Sequence, residues 1–83
     1  MDSFNQKVIL LTFFSYYYAM LLKKKLKDQC ILKAVPRSLS SSCGTCALID
    51  KSVFELAKEI CCDGIDSAFF CTENGYKEML WKK

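Results

Sequence analysis

The chain has 83 residues, 52% hydrophobic and 25% charged, with three glycines and one proline, which excludes disordered and low-complexity classes and bounds it to one ordered domain over residues 1–83. A chain of this size buries only about 60% of its unfolded surface, so its core is modest and a partner surface would help. Twelve basic against nine acidic side chains give +3, concentrated at Lys23-Lys24-Lys25-Leu26-Lys27 and Lys82-Lys83; aromatics do not interleave with these lysines, so nucleic acid is not a predicted partner.

The apolar segment from Val8 to Leu22 is fifteen residues long. As a helix it would reach about 22 Å against a bilayer core of about 30 Å, so no membrane span is predicted. A signal peptide fits poorly too, because Asp2 offsets Lys7 and three lysines stand where a small-residue cleavage site belongs. The predicted location is cytoplasmic. There Cys30, Cys43, Cys46, Cys61, Cys62 and Cys71 stay reduced, and their even number is no sign of a disulfide framework.

In chain order, Val8 to Phe13 reads as a strand buried on both faces. Ser15 offers an N-cap, and Ala19, Leu22 and Leu26 recur at helical spacing with lysines opposite. Cys30 to Val35 reads as a second strand, ended by Pro36, which cannot donate to a ladder. Thr45 to Ile49 is a third strand. Ser52-Val53-Phe54-Glu55 has the form of a capping box opening a helix whose inner face is Val53, Leu56, Ala57 and Ile60. Gly64 stops that helix, Asp66 to Thr72 supplies a fourth strand, and Tyr76 to Trp81 adds a short helical tail.

The order β-α-β-β-α-β predicts an α+β, ferredoxin-like fold: a four-stranded antiparallel or mixed sheet with two helices on one face. The first strand is apolar on both sides, so the other sheet face needs cover. Candidates are the tail through Tyr76, Leu80 and Trp81, a second copy of the chain forming a homodimer, or another protein.

The chemistry-bearing stretch is Val35-Pro36-Arg37-Ser38-Leu39-Ser40-Ser41-Ser42-Cys43-Gly44. It sets one thiol among hydroxyls and backbone donors beside an arginine, surroundings that favour thiolate. Arg37 and the amides from Ser42 to Gly44 can stabilise negative charge on Cys43, and Gly44 lets a reacting group approach without a β-carbon in the way. A solvated serine-rich turn that happens to hold a cysteine is the plain alternative, with Arg37 a solvated loop cation and Ser40 to Ser42 capping hydroxyls.

Cys43-Gly44-Thr45-Cys46 is also a C-x-x-C, which makes Cys46 a candidate resolving thiol of a redox pair. Against that, a strand beginning at Gly44 separates the two cysteines by about 10 Å, beyond the roughly 7 Å limit for a disulfide. A zinc site built from Cys43 and Cys46 with Cys61, Cys62 or Cys71 has poor ligand spacing and no histidine, so no metal or other cofactor is predicted. Without histidine the usual general base is absent as well.

Several of these residues resemble the Se/S carrier protein-like family. Phe14-Ser15 with Ala19 is similar to that family's opening, and Pro36-Arg37 followed by Ser40-Ser41-Ser42-Cys43-Gly44 is similar to its most specific motif. The resemblance implies that Cys43 is a carrier thiol and Arg37 a supporting residue. It departs at Lys23, where the family commonly has an acidic residue, and at Cys46, which the common motif lacks. The combined reading is a sulfur or selenium carrier, working by a persulfide-type relay between a donor protein and an acceptor protein. A small protein-interaction module is the alternative.

Overall fold

The apolar run at the start becomes strand β1 (Val8–Phe13), buried everywhere past Val8. The computed structural model of the chain describes residues 8–39 and 44–79. After β1 come helix α1 (Tyr16–Leu26), β2 (Cys30–Ala34), β3 (Thr45–Asp50), helix α2 (Phe54–Cys61), β4 (Ile65–Thr72) and β5 (Gly75–Glu78). The fold is α+β, with a five-stranded sheet in the order β2-β3-β1-β4-β5 whose neighbours are all antiparallel.

The expected four-stranded sheet thus gains a strand, and the expected helical tail is corrected to β5. The reason is a tight hairpin. Thr72 pairs with Gly75 across Glu73-Asn74, and the Thr72 hydroxyl donates to the Gly75 carbonyl at 2.9 Å while accepting the Asn74 amide at 3.3 Å. Gly75 takes φ +125°, a conformation open to glycine and strained for other residues. Leu80 and Trp81 lie outside the described residues.

Register decides which side chains meet. Ile9, Leu11 and Phe13 face the helices, where they join Ala19, Leu22 and Leu26 of α1 and Phe54, Ala57 and Cys61 of α2 in one core. Leu10 and Thr12 face the other way. Leu10 lies between Leu48 and Phe69, and Thr12 between Cys46 and Ser67. This second face was expected to need cover, and on it Leu10, Thr12 and Cys46 are fully buried. Its exposed apolar residues are Val8 and Ile31, at 38% and 59%.

The helix termini depart from the simple sequence signals. Ser15 holds the extended N-cap conformation of α1, but its hydroxyl makes no capping bond. The capping box does not form either. Asp50 reaches forward first, accepting from both the amide and the hydroxyl of Ser52 and closing a 3₁₀ turn at Lys51–Val53. A carboxylate is the stronger acceptor at a helix start. Glu55 is left to pair with Lys58 at 3.1 Å, and the Lys58 amine also sits 5.0 Å from the Phe54 ring centre. With the helix entered through that turn, its buried face is Val53, Phe54, Ala57 and Cys61, and Leu56 is 49% exposed.

Gly64 also has a different task from the one expected. The left-handed residue that ends α2 is Cys62, at φ +53°. Gly64 instead lies against Tyr18, where an added β-carbon would stand 2.2 Å from ring atoms. Gly64→Ala should therefore lose about 1–3 kcal/mol of stability to overpacking, and the loss should shrink in a Tyr18→Ala background, as urea titration of the four variants will show. Asp50→Ala should cost about 1 kcal/mol and Glu55→Ala only a few tenths. Equal losses would restore the capping box.

Candidate functional site

β2 and β3 pair from Cys30↔Ile49 to Ala34↔Thr45. One further bond, from the Val35 amide to the Gly44 carbonyl at 3.1 Å, carries the ladder to the mouth of the connection. Pro36 stops it there, having no amide hydrogen. The Leu39 amide then donates to the Pro36 carbonyl at 3.0 Å, closing a turn that carries Arg37 and Ser38 exposed on its outside. At the return, Gly44 takes φ +75°, and a β-carbon there would meet nothing within 4 Å. Glycine is thus required by conformation, and the space around it is open. Ser42 and Cys43 lie outside the described residues.

Pairing brings several termini to this end of the sheet. Thr12 is level with Cys46, and Phe13 with Ile65, so β1 ends where β3 and β4 begin. The Phe14 amide donates to the Gly64 carbonyl at 3.0 Å, which fastens the start of α1 to the exit from α2. No acidic residue occupies the first turn of α1. The connection holding Arg37 and Gly44 therefore shares its end of the sheet with a helix N-terminus, where backbone amides point outward and favour negative charge.

Cys46 lies on β3, extended as the sequence predicted, and it is fully buried with its sulfur 3.6 Å from the Ala34 carbonyl. The other described cysteines divide by sheet face. Cys30 and Cys61 belong to the helix-side core. Cys46 and Cys71 alternate onto the second face, but Cys46 is level with Thr12 while Cys71 lies beyond the Phe70↔Ile9 pair, at the opposite end. The sheet thus keeps Cys46 away from Cys61 and Cys62. Among the described residues no cluster of three or more His, Cys, Asp or Glu could hold a metal ion.

Burial sets the titration of Cys30, Cys61 and Cys71. It pushes Cys61 up to about 11, with Cys30 and Cys62 adding as potential like charges. Burial likewise raises Cys30 and Cys71, against opposing attraction from Lys23 and Lys33 respectively. Cys62 is exposed at the end of α2, and its thiol donates to the Glu59 carbonyl at 3.4 Å.

Lys23, the residue at which the family resemblance departs, has a task that pattern reading missed. Its amine donates to the Lys27 carbonyl at 3.0 Å and to the Cys30 carbonyl at 2.7 Å, tying the end of α1 to the start of β2. The signal was present: a lysine in a last helical turn can satisfy orphan carbonyls. The segment from Val8 to Leu22 is divided between β1 and α1, and among the described residues no helix is long and apolar enough to cross a membrane.

A protein-family model described as "Putative Se/S carrier protein-like" matches residues 8–64. The matched interval runs from the first residue of β1 to Gly64 and includes the whole β2–β3 connection. Searches of curated proteins and of solved structures give no significant match.

The raised thiols make a prediction about alkaline pH. Cys61 holds its proton more tightly folded, near 11, than at its ordinary value of 9.0. Its contribution to stability is complete below about pH 9 and should be lost as pH rises toward 11. Cys30 and Cys71, shifted in the same direction, deepen the loss. Urea midpoints should fall across this window and fall less in Cys61→Ala, whereas a pH-independent midpoint would refute the burial of these thiols.

Proposed function

The chain belongs to the Se/S carrier protein-like family, and from that premise we propose that it carries sulfur or selenium on Cys43 as a persulfide or its selenium analogue. The observation that carries the reading is the family match across the connection that contains Pro36-Arg37 and Cys43-Gly44. In the proposed relay the Cys43 thiolate attacks the outer chalcogen of a donor protein's persulfide. The new bond joins Cys43 sulfur to that atom, the donor's S–S or S–Se bond breaks, and the donor leaves as a thiolate that takes up a proton. An acceptor nucleophile then attacks the same outer atom and releases the Cys43 thiolate. No outside oxidant or reductant is consumed.

Arg37, exposed in the turn, and the amide of Gly44 supply positive potential for the thiolate, and the open space at Gly44 admits a donor. Ser42 adds a hydroxyl donor beside it in the chain. The outward amides of α1, at the same end of the sheet, act in the same direction. A resolving role for Cys46 would require its buried sulfur to be uncovered, so the C-x-x-C redox reading draws little support from the fold.

We read residues 1–83 as one domain, since the sheet interleaves strands from both halves of the chain. The order β2-β3-β1-β4, with a helix crossing from β1 to β2 and another from β3 to β4, fits a ferredoxin-like core, to which β5 is added at one edge. The reading assigns the protein to the cytoplasm, where its thiols stay reduced.

Whole-protein mass after incubation with a cysteine desulfurase and cysteine tests the relay. The expected outcome is a gain of one sulfur that Cys43→Ser abolishes and Cys46→Ser leaves largely unchanged. Arg37→Ala should slow loading through a raised thiol pKa, with the deficit shrinking as pH is increased. Wild-type loading in Cys43→Ser would sink the mechanism. Loss in both cysteine variants, with a Cys43–Cys46 disulfide in the oxidised protein, would favour the redox pair.

A further inference from the structure

The outer surface of the helix layer is divided by charge. α1 exposes Tyr17 at 65% and Met20 at 44%, followed by exposed Lys24 and Lys25, and carries no acidic residue along its length. α2 exposes Glu55, Leu56 at 49% and Glu59, with exposed Asp63 just beyond. Lys58 lies against Glu55 and the Phe54 ring, which leaves α2 acidic in balance. Each helix thus offers an apolar residue beside charges of one sign, and the two helices offer opposite signs.

The strand pairing fixes how these surfaces lie. α1 leads from the loop end of the sheet toward the end where Cys30 meets Ile49, and α2 leads back from that end toward Gly64. The helices touch and run antiparallel. Lys24 and Lys25 therefore share an end of the layer with Glu55 and Leu56, while Tyr17 shares the other end with Asp63.

We propose that the chain self-associates through this layer, with α1 of each copy lying on α2 of the other about a twofold axis parallel to the helices. Charge chooses the axis. A twofold axis in the same plane but perpendicular to the helices would stack α2 on α2, carboxylates against carboxylates, and α1 antiparallel on α1, with Lys24 and Lys25 over the Tyr17 end of the second copy and away from its acidic helix. The parallel axis sets each lysine pair over the acidic face of the second copy and brings Met20 and Leu56 together near the middle. One surface patch then serves both subunits, as an isologous contact requires.

Size and charge indicate the strength of this contact. Helices of 11 and 8 residues span about 16 and 12 Å, which puts the contact at the small end of specific interfaces. The dimer is correspondingly weak and sensitive to salt. Its geometry has one consequence for the loops: both β2–β3 connections stand at the same end of the dimer.

Sedimentation velocity of the full chain at micromolar concentration tests this directly. The wild type should dimerise at low salt, and raising ionic strength from about 0.05 M to about 0.5 M, which shortens the Debye length roughly threefold, should weaken the dimer about tenfold. Lys24→Glu with Lys25→Glu should give monomers, and Glu55→Lys with Glu59→Lys should do the same. Mixing the two variants should restore a dimer, because each then presents the sign the other lacks. Lys24→Gln with Lys25→Gln gives a milder reading, a weakened dimer, should a reversal disturb the circular dichroism of the fold. A monomeric wild type, a dimer indifferent to salt and to the variants, or a mixture that stays monomeric overturns the proposal.

Discussion

Burial of β1 on both faces is the constraint from which the rest of this structure follows. A strand with Ile9, Leu11 and Phe13 on one side and Leu10 and Thr12 on the other, all without solvent exposure, can only sit inside a sheet. It therefore pairs on both edges, with β3 and with β4. Those two pairings set the directions of β3 and β4, and the directions in turn decide where both helices start and finish. The proximity of the β2–β3 connection, the start of α1 and the exit from α2 is a consequence of β1's register.

Much of this was readable in the chain because hydrophobic burial writes a strong pattern. The run Val8 to Phe13, the spacing of Ala19, Leu22 and Leu26, and the proline after β2 each led to the right element. The errors fall where one polar contact competes with another. Ser52 and Glu55 carry a helix-start signature, but Asp50, two residues earlier, is a better acceptor, and the inner face of α2 turned with the outcome. The turn Glu73-Asn74, closed by Gly75 at its last position, outranked the helical look of Tyr76 to Trp81.

The candidate site rests on a different kind of signal. Thiolate-favouring neighbours are a local property, so Cys43 could be singled out from Pro36, Arg37, Ser42 and Gly44, although Ser42 and Cys43 themselves lie outside the described residues. The roles of the other cysteines depend on tertiary burial and could not be read locally. A buried thiol resists ionisation, which makes Cys30, Cys61 and Cys71 weak nucleophiles near neutral pH and suits them to packing.

The two halves of the chain close their helices by the same device, and the device explains the firmness of the platform under the loop. α1 ends at Lys27 with φ +54°, and α2 at Cys62 with φ +53°. Each is followed by a 3₁₀ turn into a strand. A positive φ in so sparsely populated a region costs a non-glycine residue about 1–3 kcal/mol, so something must hold it. At Lys27 the Lys23 amine does so by bonding the Lys27 and Cys30 carbonyls. At the Cys62 turn the hold is closer to the loop end: Gly64 fits beneath Tyr18 and bonds Phe14, and the Cys61 sulfur lies 3.6 Å from the Tyr18 carbonyl. The contacts that hold the second helix end therefore also fasten the start of α1, and the sheet end from which the β2–β3 connection leaves is locked on its helix side.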